Sequence, residues 1–209
     1  MIKKSVLTVV TLLIGIMIGS SFAGLGLQTD HFAKAETDPV ATGLRMANDL
    51  KIVQTNNVMI VPSHDGRLLF GYGNVGGGWD KYELQAGIKG TAVVHHGVAG
   101  LALEGEEISE IAAFSHQTGK WDSRRLVVPA SKRVMPMVSN DIVLYWVEGH
   151  AYAFSGRKGA WDVVPCKVPP ILQSGSATVI DDQRIAAFST DIARWDVLKM
   201  DDIQAPTVR

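Results

Sequence analysis

Three glycines between residues 71 and 76 have the spacing of a dinucleotide-binding loop. The stretch LLFGYGNVGGGWDKYEL, residues 68–84, contains Gly71-x-Gly73-x-x-Gly76. In dinucleotide-binding folds such glycines follow a strand, approach a pyrophosphate and open a helix. Here Gly76-Gly77-Gly78 are poor helix formers, and the following WDKYEL has the composition of a strand. The sequence therefore predicts a hairpin turn at this motif and no nucleotide cofactor.

Histidine and acidic positions offer the next candidates for chemistry. His95-His96 suggests a metal pair, but adjacent strand residues point to opposite faces, so we expect a loop or a strand-end pair near Gly97. His64-Asp65-Gly66 and Asp181-Asp182 are typical of hairpin turns and lack calcium-binding spacing. Glu104-Gly105-Glu106-Glu107 is either an acidic patch or a solvated turn between strands. These patterns predict no catalytic, cofactor-binding or metal-ligating residue.

A repeat explains these positions better than a catalytic site does. Four segments share an aromatic residue, six further residues and then Trp-Asp, and the aromatic positions are separated by 42, 40 and 34 residues. The members are Tyr72 with Trp79-Asp80, Phe114 with Trp121-Asp122, Phe154 with Trp161-Asp162, and Phe188 with Trp195-Asp196. Serines follow the aromatic residue in three copies, as Ser115, Ser155 and Ser189. Recurrence in register favours a structural role for these serines over nucleophilic catalysis.

Each copy has the pattern of a β-hairpin. An apolar strand such as Ile111-Ala-Ala-Phe114 leads into a polar turn, and a second strand opens with Trp. The two rings are expected to pack on one face of the hairpin, while the Asp points to the other face or binds a neighbouring amide. Five residues after each Trp the chain is apolar, at Leu84, Leu126, Cys166 and Met200. Cys166 therefore takes a buried packing position and not a reactive one.

Two further strands precede the hairpin in each unit. In the third unit they are Val134 to Val138 and Ile142 to Val147, around the turn Ser139-Asn140-Asp141, and the fourth unit has a similar turn at Ser174-Gly175-Ser176. Four antiparallel strands in this order form a blade of a β-propeller. The sequence thus predicts an all-β, propeller-like array of about four four-stranded antiparallel blades, after an N-terminal membrane helix.

The aromatic-x6-Trp-Asp pattern resembles kelch repeats and related bacterial β-propeller-type repeats, in units of about 40 residues over roughly residues 58 to 200. In kelch repeats the aromatic residue and the Trp pack between the strands of a blade. The resemblance implies a propeller whose blades pack face to face. Four units are fewer than kelch propellers usually have, so they either stand alone or form half of a larger ring.

The N-terminus has the pattern of an exported protein. Lys3 and Lys4 precede an uncharged run from Ser5 to Thr29, which is long enough to cross a bilayer. One interpretation is a retained signal anchor, with the rest of the chain outside the cytoplasm. The other is a cleavable signal peptide, with small-residue cleavage sites at Ser21-Phe22-Ala23 or Ala33-Lys34-Ala35 and a periplasmic or secreted product.

Three segments follow from these patterns. Residues 1–29 form the anchor or signal peptide, residues 30–57 form a linker, and residues 58–209 form the β-repeat domain. Within the linker, Asp38-Pro39 has the pattern of a helix start, which predicts a short helix that includes Leu44 and Leu50.

Composition limits the range of partners. The 20 basic and 21 acidic residues nearly cancel, so the charge favours no nucleic acid, and a single cysteine excludes an intrachain disulfide. The leading hypothesis is an exported, membrane-tethered, non-catalytic module that binds or scaffolds a protein or carbohydrate. The alternative is an extracytoplasmic propeller enzyme that acts on carbohydrate. Self-association to complete a ring is a third partner hypothesis.

Overall fold

The fold is known from a computed structural model, which describes residues 42–45 and 51–204. These residues form antiparallel sheets followed by one short helix. The first sheet has five strands in sequence order: β1 (Thr42–Arg45), β2 (Lys51–Gln54), β3 (Val58–Pro62), β4 (Leu68–Gly73) and β5 (Trp79–Glu83). Residues 1–41 with the predicted anchor or signal peptide lie outside the described residues. Among the described residues, no helix is both long and apolar enough to cross a membrane.

The second sheet has fewer but longer strands: β6 (Lys89–His95), β7 (Val98–Ser115) and β8 (Lys120–Val134). An extended strand of 18 residues would span about 60 Å. Yet the amide of His116 donates to the carbonyl of Gly97 over 2.9 Å, so the two ends of β7 are neighbours. The chain therefore reverses within β7, near its midpoint at Glu106, which fits the turn that is one of the two interpretations of residues 104–107. β6 pairs with the first half of β7 and the start of β8 with the second, which places four strand segments side by side.

The third and fourth sheets have the predicted four strands each. The third comprises β9 (Pro136–Ser139), β10 (Ile142–Val147), β11 (His150–Ser155) and β12 (Ala160–Pro165). The fourth comprises β13 (Ile171–Gln173), β14 (Ser176–Ile180), β15 (Arg184–Ser189) and β16 (Arg194–Lys199), and helix α1 (Met200–Gln204) follows it. The predicted all-β class, with four antiparallel sheets, is confirmed. The first two sheets depart from the predicted strand number: the first has five strands because it gains β1, and the second has three because β7 bends back on itself.

Two parts of the predicted linker, residues 42–45 and 51–57, have a structure that differs from the one their sequence predicts. The short helix expected after Asp38-Pro39 is wrong for residues 42–45, which form β1 and pair antiparallel with β2. β2 pairs in turn with β3, through Val53 opposite Ile60. The edge of β2 offers backbone hydrogen bonds to residues 42–45, and this pairing outweighs the weak local helix signal. The first sheet therefore begins before residue 58.

The repeat hairpins form as predicted. Each aromatic residue lies directly opposite its Trp in the strand register, as Tyr72 opposite Trp79, Phe114 opposite Trp121, Phe154 opposite Trp161, and Phe188 opposite Trp195. The paired ring centroids are 5.0 to 5.5 Å apart. Leu84, Leu126 and Cys166 are buried at the apolar position that follows, as the repeat predicts.

The sheets follow one another as consecutive blades. Strands near the start of each unit meet in order: β2 contacts β6, β6 contacts β9, and β9 contacts β13. The last strands also meet, β5 with β8 and β12 with β16. One apolar core runs from the first sheet to the third, and a second core joins the third sheet to the fourth. This order of contacts is that of neighbouring blades in a β-propeller.

The glycine motif serves the packing between the first two sheets. Gly71 and Gly73 lie inside β4 and not in the turn that was predicted for the whole motif, and Gly76 alone lies in the turn. A Cβ at Gly71 would lie 2.5 Å from Cδ2 of Phe114, and one at Gly73 would lie 2.6 Å from Cα of His116. A Cβ at Gly76 would overlap the backbone of Gly119. The second hairpin can therefore approach β4 only where side chains are absent.

Trp121 lies at the junction of the first two sheets, so its removal should destabilise the whole array. Its ring packs 5.7 Å from that of Tyr82, between centroids, in addition to its own partner Phe114. We predict that Trp121→Ala costs about 3 kcal/mol of unfolding free energy, the lower range for a packed aromatic residue. The matched control is Trp146→Ala, because Trp146 is 43% exposed and should cost less than about 1 kcal/mol. Urea melts of both variants measure the difference, and an equal midpoint shift would refute the junction role.

Candidate functional site: joints and open ends of the sheet array

The aspartate of the repeat connects one sheet to the next. The amide of Trp121 donates to Oδ2 of Asp80 over 2.8 Å, and the amide of Trp195 donates to Oδ2 of Asp162 over 2.7 Å. Each carboxylate therefore binds the second residue of the outermost strand in the following unit. Hydrogen bonds with an ionised acceptor are about twice as strong as neutral ones. The repeated Asp thus fixes how far adjacent sheets approach.

The serine of the repeat forms a second connection of the same kind. The hydroxyl of Ser155 donates to the carbonyl of Thr190 over 2.6 Å, and the hydroxyl of Ser115 donates to the carbonyl of Gly156. Both serines are fully buried. In both cases the acceptor lies two residues after the aromatic position of the next unit. The predicted structural role of Ser115 and Ser155 agrees with these contacts.

The joint between the second and third sheets uses tyrosine instead of aspartate. The hydroxyl of Tyr145 accepts from the amide of Leu101 over 2.7 Å and lies 3.0 Å from the carbonyl oxygens of Leu101 and Ala112. It therefore lies between the two halves of β7, and burial raises its pKa well above the usual value. Asp122 accepts from its own neighbour Ser123, over 3.0 Å, in place of a Trp amide. Sequence reasoning missed Tyr145, because it stands outside the aromatic-Trp register.

A chain of polar side chains connects the first and second sheets at one end of the hairpins. Nδ1 of His116 lies 2.9 Å from Oδ1 of Asn74, whose amide nitrogen donates to Oδ1 of Asn57 over 2.9 Å. Asn57 continues the chain to Nδ1 of His96, at 3.4 Å. The geometry assigns the proton of His116 to Nδ1, so Nε2 accepts from the amide of Gln117 at 3.2 Å. The neutral ring therefore satisfies both of its nitrogens.

The histidines considered as metal ligands do not converge. His95 ends β6, and His96 has a positive φ of 45° in the turn that leads to β7, which is the predicted strand-end arrangement. Within residues 42–45 and 51–204, no three or more histidine, cysteine or acidic side chains are placed to hold a metal ion. Cys166 is buried, and that burial raises the pKa of its thiol, which disfavours the nucleophilic thiolate.

A cleft of about 660 Å³ lies where the third and fourth sheets meet near α1. Its lining includes Val168, Ile180 and Met200 on the apolar side and Lys167 and Asp182 on the charged side. Asp181 also contributes, but amide hydrogen bonds, first from Gln183, lower the pKa of its carboxyl. A glycosidase needs a carboxylic acid whose pKa is raised, paired with a second carboxylate across the scissile bond. The cleft can hold a ligand, but Asp181 is unsuited to be that acid.

The two ends of the array expose surfaces that are covered at the internal joints. At the first sheet, Trp79 is 58% exposed, next to the partly exposed Tyr72. At the fourth sheet, Leu198 is 48% exposed, on the same face as the exposed Ala187. Asp196, the last Asp of the repeat, is exposed and accepts no hydrogen bond from residues 51–204. Both ends therefore carry the side chains of a joint without its opposite half.

No protein-family model matches the sequence, and no curated protein matches it. Among solved structures it is similar to Hsv2 of Kluyveromyces marxianus, with 10% identity, a TM-score of 0.37, and coverage of 77% of this chain and 72% of that one. Hsv2 of Kluyveromyces lactis gives 13% identity and a TM-score of 0.31, over 72% of this chain and half of that protein's length. The WD40 domain of SCAP from fission yeast gives 12% identity and a TM-score of 0.30, over 71% of this chain and 41% of that one.

The aspartate joints predict a difference between two residues that have the same position in the repeat. Asp80→Ala should cost about 1–2 kcal/mol of unfolding free energy, because it removes a charge-assisted hydrogen bond between sheets. Asp122→Ala should cost less than about 0.5 kcal/mol, because Asp122 binds only its neighbour and burial raises the pKa of its carboxyl. Urea unfolding of the two variants at pH 7.5 measures both values. Equal losses would show that the Asp80 hydrogen bond adds nothing to the joint.

The hydrogen-bonded side chains around His116 predict that acid weakens the joint between the first and second sheets. Burial lowers the pKa of His116 from its ordinary value near 6.5, against an opposing effect of Asp141 and with a smaller contribution from His96. Below pH 6.5 His116 therefore binds a proton in the unfolded chain while it stays neutral in the folded chain. Stability from this group is complete above pH 6.5 and falls as the pH drops below it. We expect the urea midpoint to fall more between pH 7.5 and 5.5 in the parent than in His116→Gln.

Proposed function

We propose that this chain is an exported, membrane-tethered module that binds or scaffolds another macromolecule and performs no catalysis. Residues 5–29 supply the tether, and the kelch-like β-repeats supply the binding surface. The proposal is supported by how the recurring polar residues are used. Ser115, Ser155, Asp80 and Asp162, which a catalytic repeat could have employed, all hydrogen bond across the joints between sheets.

The observation that carries the proposal is the exposure of both ends of the array. Trp79 and Tyr72 at one end, and Leu198 at the other, are large apolar side chains on sheet faces. Contiguous apolar surface of this kind marks a site of macromolecular association. A protein surface is the best fit, because aromatic residues are enriched in the buried centres of protein interfaces.

Site-specific photo-crosslinking in intact cells tests the proposal. A photoreactive amino acid replaces Trp79 or Leu198 in the full chain, and the membranes are washed with carbonate before analysis. We expect the chain to stay with the washed membranes and to give discrete adducts from both positions. The matched control is Val127, which is as exposed as Trp79 but lies in β8, away from both ends. That position should give no discrete adduct.

Three results would contradict the proposal. Equal labelling from Val127 would mean that the ends are not special surfaces. A soluble product with an N-terminus near residue 24 or 36 would remove the tether. Release of sugars from envelope polysaccharide by the purified chain would replace the binding role with the enzymatic one.

A further inference from the structure

We propose that the partner of the open ends is a second copy of this chain, joined head to tail at both ends. The first sheet of each copy docks on the fourth sheet of the other, which closes a ring of eight sheets. This inference rests on the proposed binding function and names its partner. It follows from the positions that the two end faces occupy in the repeat.

The outer face of the fourth sheet matches a face that is already covered elsewhere in the chain. Positions in the third and fourth units correspond with an offset of 34 residues. Ala153 is fully buried and Val164 nearly so, because the fourth sheet covers that side of the third. Their counterparts Ala187 and Leu198 are exposed. The fourth sheet thus presents a docking face of the same construction.

The first sheet presents the opposite half of the joint. At the joint between the third and fourth sheets, called the third joint, Phe188 and Trp195 of the fourth sheet pack toward the third sheet. Trp195 is only 6% exposed there. Tyr72 and Trp79 hold the same positions in the first sheet, with the same ring pairing at 5.4 Å. Trp79 is nevertheless 58% exposed. The aromatic half of a joint is therefore present and uncovered.

The polar contacts of the joint are present in both halves too. Asp196 takes the position of Asp162, and the amide of Trp79 takes that of Trp195, so the carboxylate and the amide would meet as they do at 2.7 Å in the third joint. Ser189 accepts from the amide of Asp191 but donates to no acceptor within residues 51–204. The carbonyl of Asn74 stands where those of Gly156 and Thr190 accept a serine hydroxyl.

The number of copies follows from closure. A joint between different faces of identical chains is heterologous, and it gives a ring when the rotation closes and a filament when it does not. Known propellers close with about four to eight blades. The four described sheets leave both ends open, and two copies supply eight. A dimer is therefore the assembly that uses every joint and stays within that range.

Complementation between two blocked variants tests the inference, with the full chain in detergent and sedimentation equilibrium as the measurement. The parent should have twice the mass of one chain. Trp79→Glu blocks only the aromatic face and Leu198→Glu only the opposite face, so each alone should lose at least tenfold in dimer affinity. An equal mixture of the two should regain dimers, because one unblocked face remains on each chain. Val128→Glu, at a site of 45% exposure in β8, should behave as the parent.

Aspartate variants separate a specific joint from general stickiness. Asp196→Ala should weaken the dimer roughly a hundredfold, because the ring loses a charge-assisted hydrogen bond, worth about tenfold, at each of its two joints. Asp201→Ala, which removes another exposed carboxylate, from α1, should leave the affinity unchanged. Equal effects of the two changes would overturn the assigned contact between Asp196 and Trp79.

Other outcomes overturn the inference in distinguishable ways. A parent that sediments as one chain excludes the dimer, and a mass that grows without limit excludes the closed ring. Mixed variants that stay monomeric exclude head-to-tail contact, and single variants that stay dimeric place the contact elsewhere, including in residues 5–29. If self-association fails while crosslinks at Trp79 capture a different protein, the proposed binding function stands without this partner.

Discussion

A β-sheet that is apolar on both faces is stable in water only when another layer covers each face, and this constraint governs the described chain. In each hairpin an aromatic residue and a Trp lie on one face, and in the second, third and fourth sheets that face packs on the preceding sheet. The opposite face carries small or aliphatic residues, such as Ala153 and Val164, which the following sheet covers. A single sheet of this kind cannot be stable alone, so the units stack.

The polar residues of the repeat give that stacking its geometry. Asp80 and Asp162 bind the Trp amides of the next sheet, and buried serines bind the next backbone. Packing the Trp rings between sheets also costs free energy, because the indole nitrogens of Trp121, Trp161 and Trp195 are buried without a hydrogen-bond partner in the described residues. Each unpaired donor costs about 1–3 kcal/mol. Burial of about 200 Å² of ring at 25 cal/mol per Å² returns about 5 kcal/mol, so the apolar term wins.

The joint between the second and third sheets differs from the other two joints in its polar contacts. Tyr145 reaches from the third sheet to Leu101 and Ala112, between the two halves of β7. Its hydroxyl satisfies backbone groups where the two halves meet. At this joint the buried tyrosine therefore replaces the Asp and Trp amide pair, and the Ser115 contact to Gly156 is kept. This explains how four units with similar hairpins can still pack through two kinds of contact.

The sequence by itself determined the hairpins, because the pairing of Phe114 with Trp121 depends on local spacing and a short polar turn. It also determined the burial of Cys166, which follows from one repeated apolar position. The tertiary structure decided what no local pattern encodes. Gly71 and Gly73 read as turn residues, yet they lie in a strand because Phe114 and His116 of another sheet need their missing side chains. Residues 42–45 read as helix, yet they form β1, because a free sheet edge offers hydrogen bonds that a short isolated helix cannot match. Whether Trp79 is exposed and Trp195 buried likewise depends only on the presence of a neighbouring sheet. Because the two residues hold the same position in the repeat, the local sequence cannot distinguish them.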